Sequence, residues 1–206
     1  LGKLTEVFGM DVLAYAAMSN HLHIVVRLRP DQSAGWSDEE VARRWLKLYP
    51  PATSGKSPCE IMGSQSWQNE IKKLIGNEHR MKTLRERLKS LSWFMKSLNE
   101  HIARRANRED ECKGRFWEGR FKCQRLENEG AILACMCYVD LNPIRAGIAG
   151  SIEESDFTSA LKRAERIGVF GRTRRSRATV CRNGLKGPLL VDLDGEQSPF
   201  RCWGER

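Results

Sequence analysis

Two short runs near the start of the chain, Val12 to Met18 and His21 to Arg29, are rich in apolar and β-branched residues, and the turn formers Ser19 and Asn20 separate them. This pattern predicts two strands joined by a tight turn. Side chains alternate along a strand, so His21, His23, Val25, Arg27 and Arg29 share one face and Leu22, Ile24, Val26 and Leu28 the other. The apolar face is expected to meet a core and the imidazole face to line a site. Ser37-Asp38-Glu39-Glu40 has the form of a capping box and predicts a helix to about Tyr49, stopped by Pro50-Pro51. Residues 52 to 65 read as a loop. From Met81 onward, Leu84, Leu88, Leu91, Met95, Leu98 and Ile102 recur at spacings of three and four. They predict one long amphipathic helix with Lys82, Arg85, Arg87, Lys89 and Lys96 outside. Lys113 to Leu126 predicts a short hairpin or an irregular ribbon. Asn128 to Leu141 predicts a helix with Ile132, Leu133, Met136 and Cys137 inward, ending before Pro143, and Asp156 to Arg166 a last helix.

Composition narrows the classes. With 206 residues, 40% hydrophobic and 30% charged, the chain is expected to be a globular protein with ample length for a core. Residues 1–167 form the expected main domain, and residues 168–206 an irregular basic tail carrying Arg172, Arg174, Arg175, Arg177 and Arg182. A formal charge of +9 favours a polyanionic partner. The seven cysteines contain no C-x-x-C pair and are odd in number, which argues against a zinc ribbon or a complete disulfide framework and for reduced thiols. Cys135 and Cys137 are expected to fill space in an apolar helix. No apolar window approaches the length of a membrane span, and no signal peptide is expected. The opening Leu1-Gly2-Lys3-Leu4 is not an initiator sequence, so residues before Leu1 are expected in the complete protein.

Chemistry concentrates in two places. His21 and His23, two apart on a strand, point the same way. Tyr138 and Asn142, four apart on a helix, share one face. Two imidazoles and an amide oxygen make a divalent-metal site, and a phenol beside a cation is a candidate nucleophile for phosphodiester chemistry. Taken singly, a His-x-His pair arises by chance, Tyr138 reads as a boundary aromatic and Asn142 as a turn former before Pro143. His79 and His101 lie in polar surroundings and read as surface residues. Arg115, Trp117, Arg120, Lys122 and Arg125 suit single-stranded nucleic acid, through phosphate contacts and base stacking. Phe116 and Phe121 as core beside a solvated arginine face is the competing reading.

Three separated segments, N-H-L-H-I-V-V, G-R-F-W-E-G-R-F-K and A-C-M-C-Y-V-D-L-N-P-I-R-A-G-I, together resemble the single-tyrosine HUH transposases. The likeness is strongest to the branch of REP-associated tyrosine transposases of bacteria, and it covers roughly residues 8 to 160. It implies an α+β, ferredoxin-like (RRM-like) fold, an antiparallel sheet backed by helices, here lacking its first strand. By residue, it implies His21, His23 and Asn142 as ligands of Mg²⁺ or Mn²⁺, and Tyr138 as the nucleophile that forms a 5′-phosphotyrosine intermediate. It further implies an endonuclease and strand transferase in DNA transposition and recombination, acting on hairpin-containing single-stranded DNA. The implied location is the bacterial cytoplasm, at the nucleoid, with no membrane partner; the resemblance also admits a homodimer. Two enzyme relatives, a replication initiator and a relaxase, use the same metal and tyrosine logic. From a different class comes a noncatalytic relative that grips hairpins without cutting. An RNA-binding module of the same sheet architecture is a weaker fit, because the exposed strand face carries histidines and arginines rather than stacking aromatics.

Overall fold

A computed structural model describes residues 1–51, 61–169 and 189–192. The described residues form an α+β protein. In chain order the elements are α1 (Gly2–Thr5), β1 (Met10–Ala17), β2 (Leu22–Leu28), α2 (Pro30–Ala34), α3 (Asp38–Leu48), α4 (Gln65–Ile75), α5 (Glu78–Lys89) and α6 (Leu91–Glu109). They continue with β3 (Lys122–Arg125), α7 (Glu129–Arg145), α8 (Ser159–Arg166) and β4 (Leu189–Asp192). Two compact units are present. One comprises Leu1–Asp11 and Leu28–His101, the other Val12–Arg27 and the described residues from Ile102 on.

The first unit is helical. Its helices start where side chains replace missing backbone partners: Ser37 accepts from the Glu40 N–H at 3.2 Å, Ser64 from Trp67 at 3.3 Å and Asn77 from Arg80 at 2.9 Å. Val41, Ala42, Trp45 and Leu46 of α3, Trp67, Ile71 and Leu74 of α4, and Met81, Leu84 and Leu88 of α5 are buried. Helix α4 was not expected, although Trp67, Ile71 and Leu74 have helical spacing. The single long helix expected from Met81 is two helices. Ser90 between them is extended (φ −85°, ψ 121°), donates its N–H to Arg87 and accepts from Trp93 and Phe94. The extended backbone at Ser90 closes one helix and opens the next through its own N–H and carbonyl, while the apolar spacing runs on through Leu88, Phe94 and Met95. Arg29, expected on the imidazole face, lies beyond the end of β2 and is held by Asp31 and, at 2.9 Å, by Asp11.

The second unit carries the sheet, in the order β1-β2-β4-β3. Strands β1 and β2 form the expected hairpin, closed by the Met18 N–H donating to the His21 carbonyl at 2.9 Å, and so short a connection makes them antiparallel. The sheet is nevertheless mixed. Strand β4 lies parallel to β2 (His23 opposite Leu189) and parallel to β3 (Lys122 opposite Leu189). Residues 168–206 are therefore not wholly irregular; Arg172, Arg174, Arg175, Arg177 and Arg182 lie outside the described residues. The outer edge of β1 is covered locally, where the Ala17 N–H donates to Phe157 at 3.2 Å and Ala16 bridges Thr158. No hairpin forms across residues 113–126; irregular chain precedes the single strand β3.

Helix α7 packs on the sheet through Val139, which is buried with Ala14, Ala16, Met18 and Val25. The two alanines allow close approach. Cys135 packs against this cluster, and burial pushes its thiol pKa up, whereas Cys137, expected inward, is exposed. The helix does not stop before Pro143 as expected; it runs on to Arg145. The reason lies just beyond it. Gly147, at φ +66°, donates its N–H to Ile144 at 3.0 Å, and Ile148 donates to the Pro143 carbonyl at 2.9 Å. That is a Schellman motif, so Pro143 occupies the last turn, where only one ladder bond is forfeited.

Candidate active site

The sheet and α7 bring four of the sequence-predicted residues together. His21 and His23 project from the same side of the hairpin, and their Nε2 atoms face each other at 2.8 Å. On the far side of His21, its Nδ1–H donates to Asn20 Oδ1 at 2.6 Å, which fixes the ring with Nε2 toward its partner. From α7, the Asn142 carboxamide nitrogen, Nδ2, lies 3.2 Å from His23 Nε2 although 119 positions separate the two residues. Turning that carboxamide over exchanges its nitrogen and oxygen without moving the chain. The Tyr138 ring stands edge-on to His23 with centroids 6.0 Å apart.

Burial differs sharply around this cluster. His23 and Asn142 are buried, His21 is half-buried and Tyr138 is 42% exposed. An exposed tyrosine thus stands beside a buried imidazole. Burial, with a smaller contribution from His21, lowers the His23 pKa to about 4, so its ring is neutral across the physiological range. Its Nδ1 is buried without a hydrogen-bond partner. The imidazole face is also a packing face, contrary to expectation, because Val25 on that face is fully buried under α7.

The donor set suits a divalent cation. Two ligands at right angles, each about 2.1 Å from an ion, stand roughly 3 Å apart. The two imidazole nitrogens, 2.8 Å apart, come close to that value, whereas the 3.2 Å approach is made by the Asn142 nitrogen, whose oxygen takes that place only when the carboxamide is turned over. Among the described residues no group of three His, Cys, Asp or Glu converges, so a third ligand beside the two imidazoles would have to be the Asn142 amide oxygen. Neutral imidazoles favour Mn²⁺, while Mg²⁺ prefers oxygen.

Three further residues hold α7 in place and were not singled out from the sequence. Asp140, between Tyr138 and Asn142, points the other way. It accepts from the Ser159 hydroxyl at 2.7 Å and pairs with Arg163. Ser159 also accepts the Tyr15 N–H at 2.8 Å, and Arg163 donates to the Leu13 carbonyl at 3.2 Å. Thus α8 ties α7 to β1. A carboxylate inside an apolar helical run was the available signal. A fourth residue, Arg145, lies with its guanidinium carbon 4.8 Å from the Tyr138 ring centroid.

The convergence of His21, His23, Tyr138 and Asn142 includes none of the five residues expected to contact DNA. Arg115, Arg120 and Lys122 are exposed, Trp117 and Arg125 half-buried. Arg115 donates to the Trp117 carbonyl at 2.8 Å, and Trp117 meets Phe116 edge-on. Register places Lys122 in the same row as His23, on the same face of the sheet, whereas Arg125 is level with Val26. His79 and His101 are exposed, as expected. Among the described residues no helix is long and apolar enough to cross a membrane. No protein-family model, curated protein or solved structure matches the chain.

Proposed function

We propose that this protein is a metal-dependent endonuclease and strand transferase of single-stranded DNA, acting through Tyr138, on a ferredoxin-like scaffold. The observation that carries the reading is the junction of two distant sequence segments. Two imidazole nitrogens 2.8 Å apart meet an amide from α7 at 3.2 Å, with a solvent-reachable phenol on the same helix. His21, His23 and Asn142 would hold Mg²⁺ or Mn²⁺, whose role when bound is to withdraw charge from a phosphate.

The remaining chemistry belongs to the chain. The Tyr138 oxygen attacks phosphorus, its proton passing to water, which reaches a side chain this exposed. An oxygen–phosphorus bond to tyrosine forms as the bond to the 3′-oxygen breaks, and that oxygen takes a proton from water. The product is a 5′-phosphotyrosine and a free 3′-hydroxyl. Because the phosphoester energy is retained, reversal with a second 3′-hydroxyl joins strands without ATP. The charge of +9 supports a nucleic-acid substrate.

The test is incubation with 3′-end-labelled single-stranded hairpin oligonucleotides of randomised sequence and Mn²⁺, resolved on a denaturing protein gel. A labelled protein band is expected, absent in Tyr138→Phe and in chelator. DNA retained without any band would replace this reading with that of a noncatalytic hairpin binder.

A further inference from the structure

We infer that Arg145 is a further catalytic residue, a guanidinium that grips the scissile phosphate while resting on the nucleophile's ring; this rests on the reading of Tyr138 just given. Arg145 lies seven residues after Tyr138. Two helical turns bring it back to within about 20° of the same stripe. Its guanidinium carbon sits 4.8 Å from the Tyr138 ring centroid. A guanidinium stacked by its face keeps its N–H edge free, and that edge is the part that forks onto two phosphate oxygens.

Its surroundings support the assignment. Arg29, Arg43, Arg44, Arg85, Arg105 and Arg163 each pair with a carboxylate. Arg145 is exposed, and among the described residues no carboxylate or carbonyl bonds it; its one described contact is the Tyr138 ring. Placed in the last turn of α7, it is favoured there by the helix's negative end. The Gly147 turn fixes that last turn, so the guanidinium is presented from a defined backbone rather than a frayed one. A phosphate bound beside the phenol would meet a cation already in position, without displacing an internal ion pair.

The experiment follows formation of the Tyr138 adduct on the same randomised hairpin pool with Mn²⁺, in wild type, Arg145→Gln, Arg145→Lys and Lys162→Gln. Lys162 lies 5.6 Å from the Tyr15 ring centroid and serves as a control cation on a different ring. Arg145→Gln should slow the adduct about 100-fold, the loss expected for one donor to developing charge. Arg145→Lys should recover only part of that rate, since an ammonium lacks the planar fork. Lys162→Gln should match wild type, and all three melting temperatures should agree. In chelator, the salt dependence of DNA binding should lose about 0.7 of a log unit per log unit in Arg145→Gln, as for one phosphate contact fewer on a single strand. An Arg145→Gln adduct rate within threefold of a cutting wild type would overturn this inference and leave the nucleophile standing. A wild type that forms no Tyr138-dependent adduct overturns the proposed function, and this inference with it.

Discussion

Replacing Asp140 with asparagine removes one charge from the tie between α7, α8 and β1 while keeping the side chain's shape. The carboxylate side chain is 13% exposed and that of Arg163 42% exposed, so one end of the pair is dry and the other wet. A hydrogen bond to a charged group contributes about 1.5–3 kcal/mol where both ends are dry; an exposed pair contributes at most about 1 kcal/mol. With one end in water and the Ser159 bond able to persist to an amide oxygen, about 1.5–2 kcal/mol is expected. That corresponds to a 10- to 30-fold rise in local opening, since 1.4 kcal/mol is about tenfold. Amide hydrogen exchange reads this directly at the Tyr15 N–H, which Ser159 accepts, and along residues 139–145. Arg163→Met, alone and with Asp140→Asn, completes a double-mutant cycle in which the pair should couple by about 1 kcal/mol. Additive effects, or exchange at Tyr15 within twofold of wild type in Asp140→Asn, would refute the tie.

Other expectations follow from the same geometry. Val139→Ala removes two buried carbons beneath α7 and should lower stability by about 2 kcal/mol, read as a shift in urea midpoint. Gly147→Ala meets no neighbouring atom, so its cost is backbone alone, about 1–2 kcal/mol, visible as faster exchange at Ile148. In the metal-free protein the fold prefers neutral His23, with a pKa of about 4, while the unfolded chain takes its proton near the ordinary 6.5. The unfolded state therefore binds more protons between those values. Stability should be flat above about pH 6.5 and fall by up to about 3 kcal/mol toward pH 4. Urea midpoints across that range should show the slope in wild type and its loss in His23→Leu.

Much of this site is visible in sequence because it rests on two exact periodicities. Alternation on a strand puts His21 and His23 on one side, and one helical turn does the same for Tyr138 and Asn142. What was not visible depends on partners far along the chain. Asp140 reads as a solvated residue until Ser159 and Arg163 are seen against it. Pro143 reads as a stop signal until Gly147 is seen closing the turn around it. Ser90 falls between Leu88 and Leu91 without interrupting the apolar spacing, so the break between α5 and α6 leaves no trace in hydrophobicity. Strand β4 is four residues long, too short for periodicity to announce, and only its pairing with β2 and β3 defines it.

That pairing has a consequence for how the molecule is made. The ladder beside His23 is completed by residues from Leu189 onward, which leave the ribosome long after β2 has emerged. At about 5–20 residues per second, β2 waits roughly ten to thirty seconds for its neighbour. During that interval its open backbone is a template for any other extended chain. Substitutions in β4 will therefore register first in the yield of folded protein, through aggregation or chaperone capture, and only second in the stability of the molecules that finish.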